Sequence, residues 1–211
     1  MRMLPFVFAA ALFAQPADKS ATEKRIDDAV AVLTEIMDIK DKAIPQDLVD
    51  QSMCAVVVPG VKKGGFILAA KYGRGFALCR AEGGRGWDKP WGVRVEGGSV
   101  GFQIGGSETD VVMLVMNEKG MERLKRNKFT VGGDASVAAG PVGRETTAQT
   151  DATMRAEILS WSRSRGVFAG IALNGATLRP DNEANSGLTA KPEMAVPLVN
   201  LLNKFSSRRT K

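Results

Sequence analysis

The alternation of apolar and polar residues predicts two adjacent strands in a glycine-rich block at residues 97–116. In the first strand, Val100, Phe102 and Ile104 alternate with small or polar residues, which is the period of a half-buried strand. A short glycine turn follows, and residues 111–116 are continuously apolar, as expected for a strand covered on both faces. We therefore take this block as the centre of a curved, mostly antiparallel sheet.

Asp110 stands directly before the second apolar run of this block. An aspartate at such a position is either a turn or cap residue, because its side chain bonds readily to nearby backbone, or a functional carboxylate. The position favours the turn.

A helical pattern covers residues 21–43. Apolar residues recur along it with the spacing of one helix face: Ile26, Ala29, Val30, Leu33, Ile36 and Met37. Ser20 and Glu23 have the spacing of a capping box, and Pro45 should end the helix near Ala43. Such an amphipathic helix can lie on a membrane or pack on the sheet, and its acidic polar face favours packing.

Three short strands with two basic, glycine-rich turns between them are predicted at residues 54–80. The strands span residues 54–58, 66–70 and 76–80, and the turns span residues 61–65 and 71–75. The turns carry Lys62, Lys63, Lys71 and Arg74. At one edge of a sheet these side chains would form a positive patch suited to phosphate headgroups, whereas at opposite ends they would be a solvated surface.

The two cysteines, Cys54 and Cys79, both fall on these predicted strands. In an oxidising compartment they could form a disulfide, and two buried thiols are the alternative.

The remaining segments complete an α+β fold class. We predict a short helix capped by Asn117, a hairpin over residues 157–173, a polar loop over residues 179–192 and a last helix over residues 195–205. A helix through Met154, Ile158 and Trp161 is the alternative to the hairpin. The chain is then a single domain with a curved, mostly antiparallel, barrel- or sandwich-like sheet, an N-terminal amphipathic helix and a C-terminal helix.

The N-terminus has the features of a secretory signal. Arg2 precedes a short apolar run that is too short to span a bilayer. We predict a signal peptide at residues 1–14, a linker at 15–20, the domain at 21–205 and a basic tail at 206–211. A retained N-terminal anchor is the alternative to a cleaved signal. The mature protein is then exported, and periplasmic or envelope-associated.

Composition limits the chemistry that the chain can perform. The 211 residues carry 29 basic and 23 acidic side chains, a net charge of +6, which favours anionic partners. Histidine is absent, two cysteines are too few for a zinc site, and the few aromatic residues argue against nucleic acid. We expect no metal, cofactor, small-molecule substrate or catalytic residue; the weakest alternative is a hydrolase using Ser136 with Asp134, or Asp110.

Six motifs follow one another along the chain. They are VPGVKKGGF at residues 58–66, KYGRG at 71–75, GSVGFQIG at 98–105, TDVV at 109–112, GPVGR at 140–144 and SRSRGVFAG at 162–170, with Trp87 and Pro90 between them. Their order resembles the SYLF domain, a lipid-binding domain also found in a yeast actin-binding protein family. The likeness covers about residues 26–202.

The resemblance implies a non-enzymatic protein that binds membrane lipid. Eukaryotic members bind phosphoinositides through an N-terminal amphipathic segment and basic residues; in an exported chain of bacterial type, anionic phospholipid takes that place. The residues that would do so are Lys24, Arg25, Lys62, Lys63, Lys71 and Arg74. The alternative is a protein-interaction module, which binds actin filaments in eukaryotic relatives and would bind an envelope protein here.

Overall fold

The computed structural model describes most of the chain. The described residues are 19–39, 43–64, 68–100, 107–143, 155–164, 167–171 and 173–210. The predicted signal peptide lies outside them. So do residues 101–104 of the first predicted strand, Gly105 and Gly106 of the glycine turn, and residues 165–166 of the predicted hairpin turn.

Helices and strands alternate irregularly along these residues. The helices are α1 (Ala21–Met37), α2 (Gln46–Gln51), α3 (Glu118–Leu124), α4 (Asn182–Ala190) and α5 (Val196–Phe205). The strands are β1 (Cys54–Gly64), β2 (Leu68–Cys79), β3 (Trp91–Val100), β4 (Ser107–Val115), β5 (Phe129–Thr130), β6 (Val137–Ala139), β7 (Ile158–Ser164), β8 (Val167–Gly170) and β9 (Thr177–Pro180).

All of the described strands belong to one curved sheet. Its order is β5-β9-β3-β2-β1-β4-β7-β6, with β8 paired to β7. The pairs are antiparallel except for β6 with β7. The α+β class, the single domain, the curved and mostly antiparallel sheet and the two terminal helices are therefore confirmed.

Each face of the sheet has its own apolar core. On β1, Ala55 and Val57 pack with α1, α2 and α5, whereas Val56 and Val58 face the layer that contains Leu124 of α3. This alternation follows from the strand period of two residues. β1 lies in the middle of the sheet between β2 and β4, so the centre is here and not in the block at residues 97–116. The prediction of adjacent strands in that block was also wrong, because β1 and β2 separate β3 from β4.

The predicted basic turns at residues 61–65 and 71–75 were wrong, because residues 61–64 and 71–75 are strand. β1 and β2 form one long hairpin in place of three short strands. The glycines that suggested a turn are there because two backbones approach closely. A Cβ at Gly75 would overlap the Val57 carbonyl oxygen, and a Cβ at Gly73 would lie 2.8 Å from a Val61 methyl group.

Gly75→Ala should therefore destabilise the protein, whereas Gly64→Ala on the same hairpin should not. Nothing lies within 4 Å of a Cβ at Gly64. We expect Gly75→Ala to lower the free energy of unfolding by about 2 kcal/mol or more, because the central strands must move apart. Urea unfolding measures both variants; equal stability would contradict the close-approach explanation.

Helix α1 packs its apolar stripe on the sheet. Ile26, Ala29, Leu33 and Ile36 are buried there, and Ser20 with Glu23 forms the predicted capping box. The helix ends at Met37, earlier than predicted, with Asp38 as its C-cap. Proline sets only an outer limit to a helix.

Cys54 and Cys79 lie directly opposite each other on β1 and β2, where a disulfide joins them. Both residues are buried in the core next to α3. Their sequence separation is 25 residues, and closing a loop of this size stabilises a fold by about 3 kcal/mol in the chain-entropy account.

The polar loop predicted at residues 179–192 was wrong. The segment contains the end of β9 and all of α4, which begins after Asp181. Asp181 caps the helix by accepting the Ala184 N–H, and Ala184 and Leu188 are its buried residues. Two buried residues give too weak an apolar periodicity to predict a helix from sequence. No helix of the described chain has both the length and the apolar character needed to cross a bilayer.

Candidate functional site

The six predicted binding residues do not form one patch. In the β1–β2 hairpin, Lys62 pairs with Tyr72 and Lys63 pairs with Lys71. Directly opposite residues share a face of a sheet, and consecutive residues do not. Lys62, Tyr72 and Arg74 are therefore on the face that α1 covers, and Lys63 and Lys71 are on the other face.

The face covered by α1 contains a groove between that helix and the hairpin. We call it the basic groove; its volume is about 650 Å³. Its charged lining residues are Lys24, Arg25, Asp28, Lys62, Arg74, Glu108, Asp110 and Arg163, and its other lining residues are Ala21, Ala31, Val32, Pro59, Gly60, Tyr72 and Gly73. Four of the six predicted residues thus meet in one cavity, although they come from separate parts of the chain.

At one end of the basic groove, Arg74 is held by acids of α4. Its Nε and Nη2 donate to the two carboxylate oxygens of Asp181, both at 2.6 Å, and Nη2 also donates to Glu183 at 2.8 Å. Asp181 is buried whereas Glu183 is exposed. Arg25 of α1 approaches the same carboxylate, at 3.6 Å. These residues tie α1, β2 and α4 together.

The electrostatics of this cluster follow from its burial. The hydrogen bond to Asp181 raises the pKa of Arg74 above its usual value. Burial alone would raise the pKa of Asp181, but hydrogen bonds from Arg74 and from the Ala184 N–H outweigh it and hold that pKa below its usual range. Burial lowers the pKa of Arg25, and the neighbouring Arg74 guanidinium lowers it further. The Arg74 side chain therefore holds the fold together through its hydrogen bonds to Asp181 and Glu183. Arg25 Nη1, in contrast, is 3.6 Å from Asp181 and forms no hydrogen bond within the described chain.

At the other end of the basic groove, Asp110 is a structural carboxylate. It lies within β4, so the prediction of a turn or cap was wrong. Its side chain accepts the Gly60 N–H at 2.9 Å and two hydrogen bonds from Arg163. Arg163 also forms an ion pair with Glu35 of α1. A second set of charges therefore fastens α1 to the sheet.

The opposite face of the hairpin carries a pair of like charges. Lys63 and Lys71 are directly opposite, and within the described chain neither forms an ion pair. Like charges in this arrangement destabilise a sheet. The pair is therefore a second, smaller basic surface, separate from the basic groove.

Ser136 and Asp134 are the residues of the hydrolase alternative, and both side chains form hydrogen bonds to nearby backbone. The Ser136 hydroxyl accepts the Glu157 N–H at 3.0 Å, and Asp134 accepts the Thr130 N–H at 2.6 Å. In the described ranges, no three Cys, Asp or Glu side chains are grouped closely enough to hold a metal ion.

Sequence reasoning did not assign the lining residues Tyr72 and Arg163 to the site, nor Asp181, which holds Arg74 beside it. Tyr72 is 49% exposed, the largest side chain among the exposed hydrophobic residues of the described chain. The KYGRG motif contains Tyr72, but the turn predicted at residues 71–75 did not place Tyr72 opposite Lys62. No local signal identifies Asp181, because the short helix that it caps has only two buried residues.

The fold defines a single-domain α+β protein whose sheet curls into a half-barrel, with one helix fastened across its central hairpin. The sequence profile of the Ysc84 family, described as "Las17-binding protein actin regulator", matches residues 96–203. This match covers half of the chain, so the protein belongs to that family, and the resemblance to the SYLF domain is confirmed.

Relatives come from fungi and animals. The chain is 30% identical over 205 residues to an SH3 domain-containing protein of Schizosaccharomyces pombe, covering 87% of this chain and 47% of that protein. It is 34% identical over 146 residues to SH3 domain-containing YSC84-like protein 1 of Xenopus laevis, covering 69% and 43%. LAS seventeen-binding protein 3 of Saccharomyces cerevisiae is 29% identical over 148 residues, covering 69% and 32%. The chain therefore spans half or less of the length of these relatives.

Proposed function

We propose that this protein is a non-enzymatic interaction module that binds an acidic surface of another protein through the basic groove. The observation that carries the proposal is the half-exposed Tyr72 beside Lys62, in a groove that Lys24 and Arg25 also line. Tyrosine and arginine are enriched among the residues that dominate binding energy at protein interfaces. The family description, which names binding of a protein and regulation of actin, supports a protein partner over a small molecule.

The partner is defined by its chemistry, and filamentous actin is the first one to test. The family description names an actin regulator. If the predicted signal peptide is removed and the chain exported, an envelope protein with an acidic surface takes that place. The mass of the mature protein from its native host measures whether residues 1–14 are absent; an intact N-terminus would contradict cleavage of a signal peptide.

Lys62→Glu and Lys63→Glu form a matched pair for this proposal. Both change the net charge by the same amount on neighbouring residues of β1, but only Lys62 lines the basic groove. We expect Lys62→Glu to weaken co-sedimentation with actin filaments about tenfold, and Lys63→Glu to change it less than about threefold. Tyr72→Ala should weaken binding like Lys62→Glu.

Two results would contradict groove binding. The first is wild-type protein that stays in the supernatant with actin and with every acidic protein extracted from the host envelope. The second is an equal loss for Lys62→Glu and Lys63→Glu, since net charge alone would then explain the attraction.

A second candidate function is binding to anionic phospholipid, and the opposed lysines Lys63 and Lys71 favour it. Each lysine near an anionic bilayer contributes roughly 1 kcal/mol, and the attraction falls with salt. Because the apolar stripe of α1 packs on the sheet, contact with lipid would fall to the hairpin. In vesicles rich in phosphatidylglycerol, Lys63→Glu should then reduce co-sedimentation more than Tyr72→Ala; vesicles that never retain the wild-type protein would exclude this candidate.

A further inference from the structure

A second cavity lies between the end of α3 and the strands β2, β3 and β9, on the face of the sheet away from α1. We call it the α3 cavity; its volume is about 350 Å³. Pockets that hold small molecules have volumes of about 300–1,000 Å³, so the α3 cavity has room for one compact molecule.

The floor of the α3 cavity is apolar. Cys79, Val93, Leu124 and Leu178 line it, and all four are buried in the core on this face of the sheet. Trp91 lines it as well and is only partly buried where it packs against that core. An indole ring offers a large apolar surface, so Trp91 forms a wall that a ligand can contact.

Exposed basic residues from two separate segments border the α3 cavity. Lys125 and Arg126 follow α3, and Lys89 precedes β3. All three are exposed, and within the described chain none of them forms an ion pair. Asp88 is the acidic residue of the lining, and it accepts the Lys89 backbone N–H at 2.8 Å.

Two further arginines line the α3 cavity, but both already have acceptors. Arg80 donates to three buried carbonyl oxygens, and Arg179 Nε lies 3.3 Å from a carboxylate oxygen of Glu96. The positive charge that is available to a ligand therefore comes from the three exposed residues.

The dipole of α3 accounts for only part of this charge. Cations are favoured at the C-terminal end of a helix, where Lys125 and Arg126 lie. Lys89 lies on the loop before β3 and gains nothing from that dipole. Three cations around one opening repel one another, and an anion in the cavity would relieve this repulsion.

We propose that the α3 cavity binds a small amphipathic anion, which is a molecule with one anionic group on a compact apolar body. The anionic group lies among Lys89, Lys125 and Arg126, and the apolar body lies against Trp91 above the buried floor. Asp88 disfavours a ligand with several negative charges, and the volume is too small for a phospholipid with two acyl chains. This inference goes beyond the proposed function and does not depend on it, because the basic groove is on the other face of the sheet.

Two dyes with the same aromatic body test the need for an anionic group. Anilinonaphthalene sulfonate carries a sulfonate, phenylnaphthylamine lacks it, and both fluoresce more strongly in an apolar site. We expect the sulfonate dye to bind the protein saturably and about tenfold more tightly than the neutral dye. It should also raise the midpoint of thermal unfolding, because a ligand that binds only the folded state stabilises that state.

Lys125→Gln and Lys128→Gln are a matched pair for this test. Both remove one positive charge from an exposed residue just after α3, but only Lys125 lines the α3 cavity. We expect Lys125→Gln to weaken the sulfonate dye about threefold, the effect of one exposed charge interaction, and Lys128→Gln to change it far less. Lys62→Glu, the basic-groove variant, should bind the dye like the wild-type protein, so the two proposals can fail separately.

Trp91→Leu tests the apolar wall. We expect it to weaken both dyes about tenfold, because the loss of an indole contact does not depend on the charge of the ligand. Thermal unfolding checks that the variant folds. If it does not fold, Lys89→Gln replaces it, with an expected loss of about threefold for the sulfonate dye and none for the neutral dye.

Competition distinguishes the two kinds of apolar body. Displacement of the sulfonate dye mainly by naphthoate would assign an aromatic ligand, and displacement mainly by decanoate would assign a single aliphatic chain; either result supports the proposal. If neither competitor displaces the dye, or if phosphatidylglycerol vesicles displace it better than both, the proposal is wrong.

Four further results would overturn the inference. They are no saturable binding, equal affinity for the two dyes, an effect of Lys125→Gln no larger than that of Lys128→Gln, and a lower midpoint of thermal unfolding with the dye. The last result would show that the dye prefers unfolded or loosely packed chain.

Discussion

Asp181→Ala should lower the free energy of unfolding by about 3 to 5 kcal/mol, the usual cost of breaking a buried ion pair from one side. The variant leaves Arg74 and Arg25 as adjacent cations without their shared carboxylate, and it removes the N-cap of α4. Urea unfolding at neutral pH measures the loss. Asp181→Asn should lose less, because asparagine retains the cap.

Glu183→Ala is the control for this prediction. Glu183 lies on the helix that Asp181 caps, and it also accepts a hydrogen bond from Arg74 of β2. The Asp181 side chain is 4% exposed and the Glu183 side chain is 68% exposed. An exposed ion pair contributes at most about 1 kcal/mol. Equal losses for the two variants would show that burial does not decide the strength of this cluster.

The same carboxylate predicts the sign of a pH dependence. The pKa of Asp181 is lower in the folded protein than its ordinary value, so its stabilisation is complete above about pH 4, the range of an unfolded aspartate. It is lost as the pH falls through the folded pKa. Asp181→Asn should therefore flatten the acid limb of a plot of stability against pH, and an unchanged limb would contradict this assignment.

Arg80→Ala should destabilise the protein by about 3 kcal/mol or more, because three buried carbonyl oxygens each lose a hydrogen bond from a charged donor. Arg80 donates to the carbonyl oxygens of Val49, Ser52 and Ser206 at 2.9, 3.2 and 2.7 Å. Its guanidinium also lies 4.0 Å from the centre of the Trp87 ring. Burial lowers the pKa of Arg80 to about 10, so the side chain remains charged at neutral pH.

Thermal unfolding with Arg209→Ala as control measures this effect. Arg209 Nε donates to one carbonyl oxygen, that of Gln51, in an exposed hydrogen bond. Its loss should cost less than about 0.5 kcal/mol. An Arg80→Ala protein as stable as Arg209→Ala would mean that α2 and the segment after α5 do not depend on the Arg80 hydrogen bonds.

The hairpin of β1 and β2 explains why the candidate site could be predicted only in part. The sequence identified Lys62, Lys63, Lys71 and Arg74 as a basic set near glycines, and these residues do lie on one hairpin. Glycine in a sequence fits a turn or a close backbone approach equally well, and only the distance from Gly75 to Val57 on the neighbouring strand distinguishes them. The choice of a turn then concealed which lysines share a face.

Arg74 and Asp181 show a second limit. They are 107 residues apart in the chain, and no local pattern relates them. The pairing removes Arg74 from the residues available to a ligand. Arg25, which the sequence assigned to lipid on charge alone, is instead buried beside that pair with one donor unsatisfied.

By itself, the sequence determined the α+β class, the capped amphipathic helix α1, the apolar strands and the family, because each depends on local periodicity, capping chemistry or ordered motifs. Only the tertiary structure decided that β1 and β2 form the centre, that Lys62 and Lys63 face opposite ways, and that Arg25 and Arg74 meet one carboxylate. The physical reason is that strand register and ion pairing join residues far apart in the chain. Such contacts depend on the packing of the whole domain, and the residues adjacent in sequence carry no local pattern that predicts them.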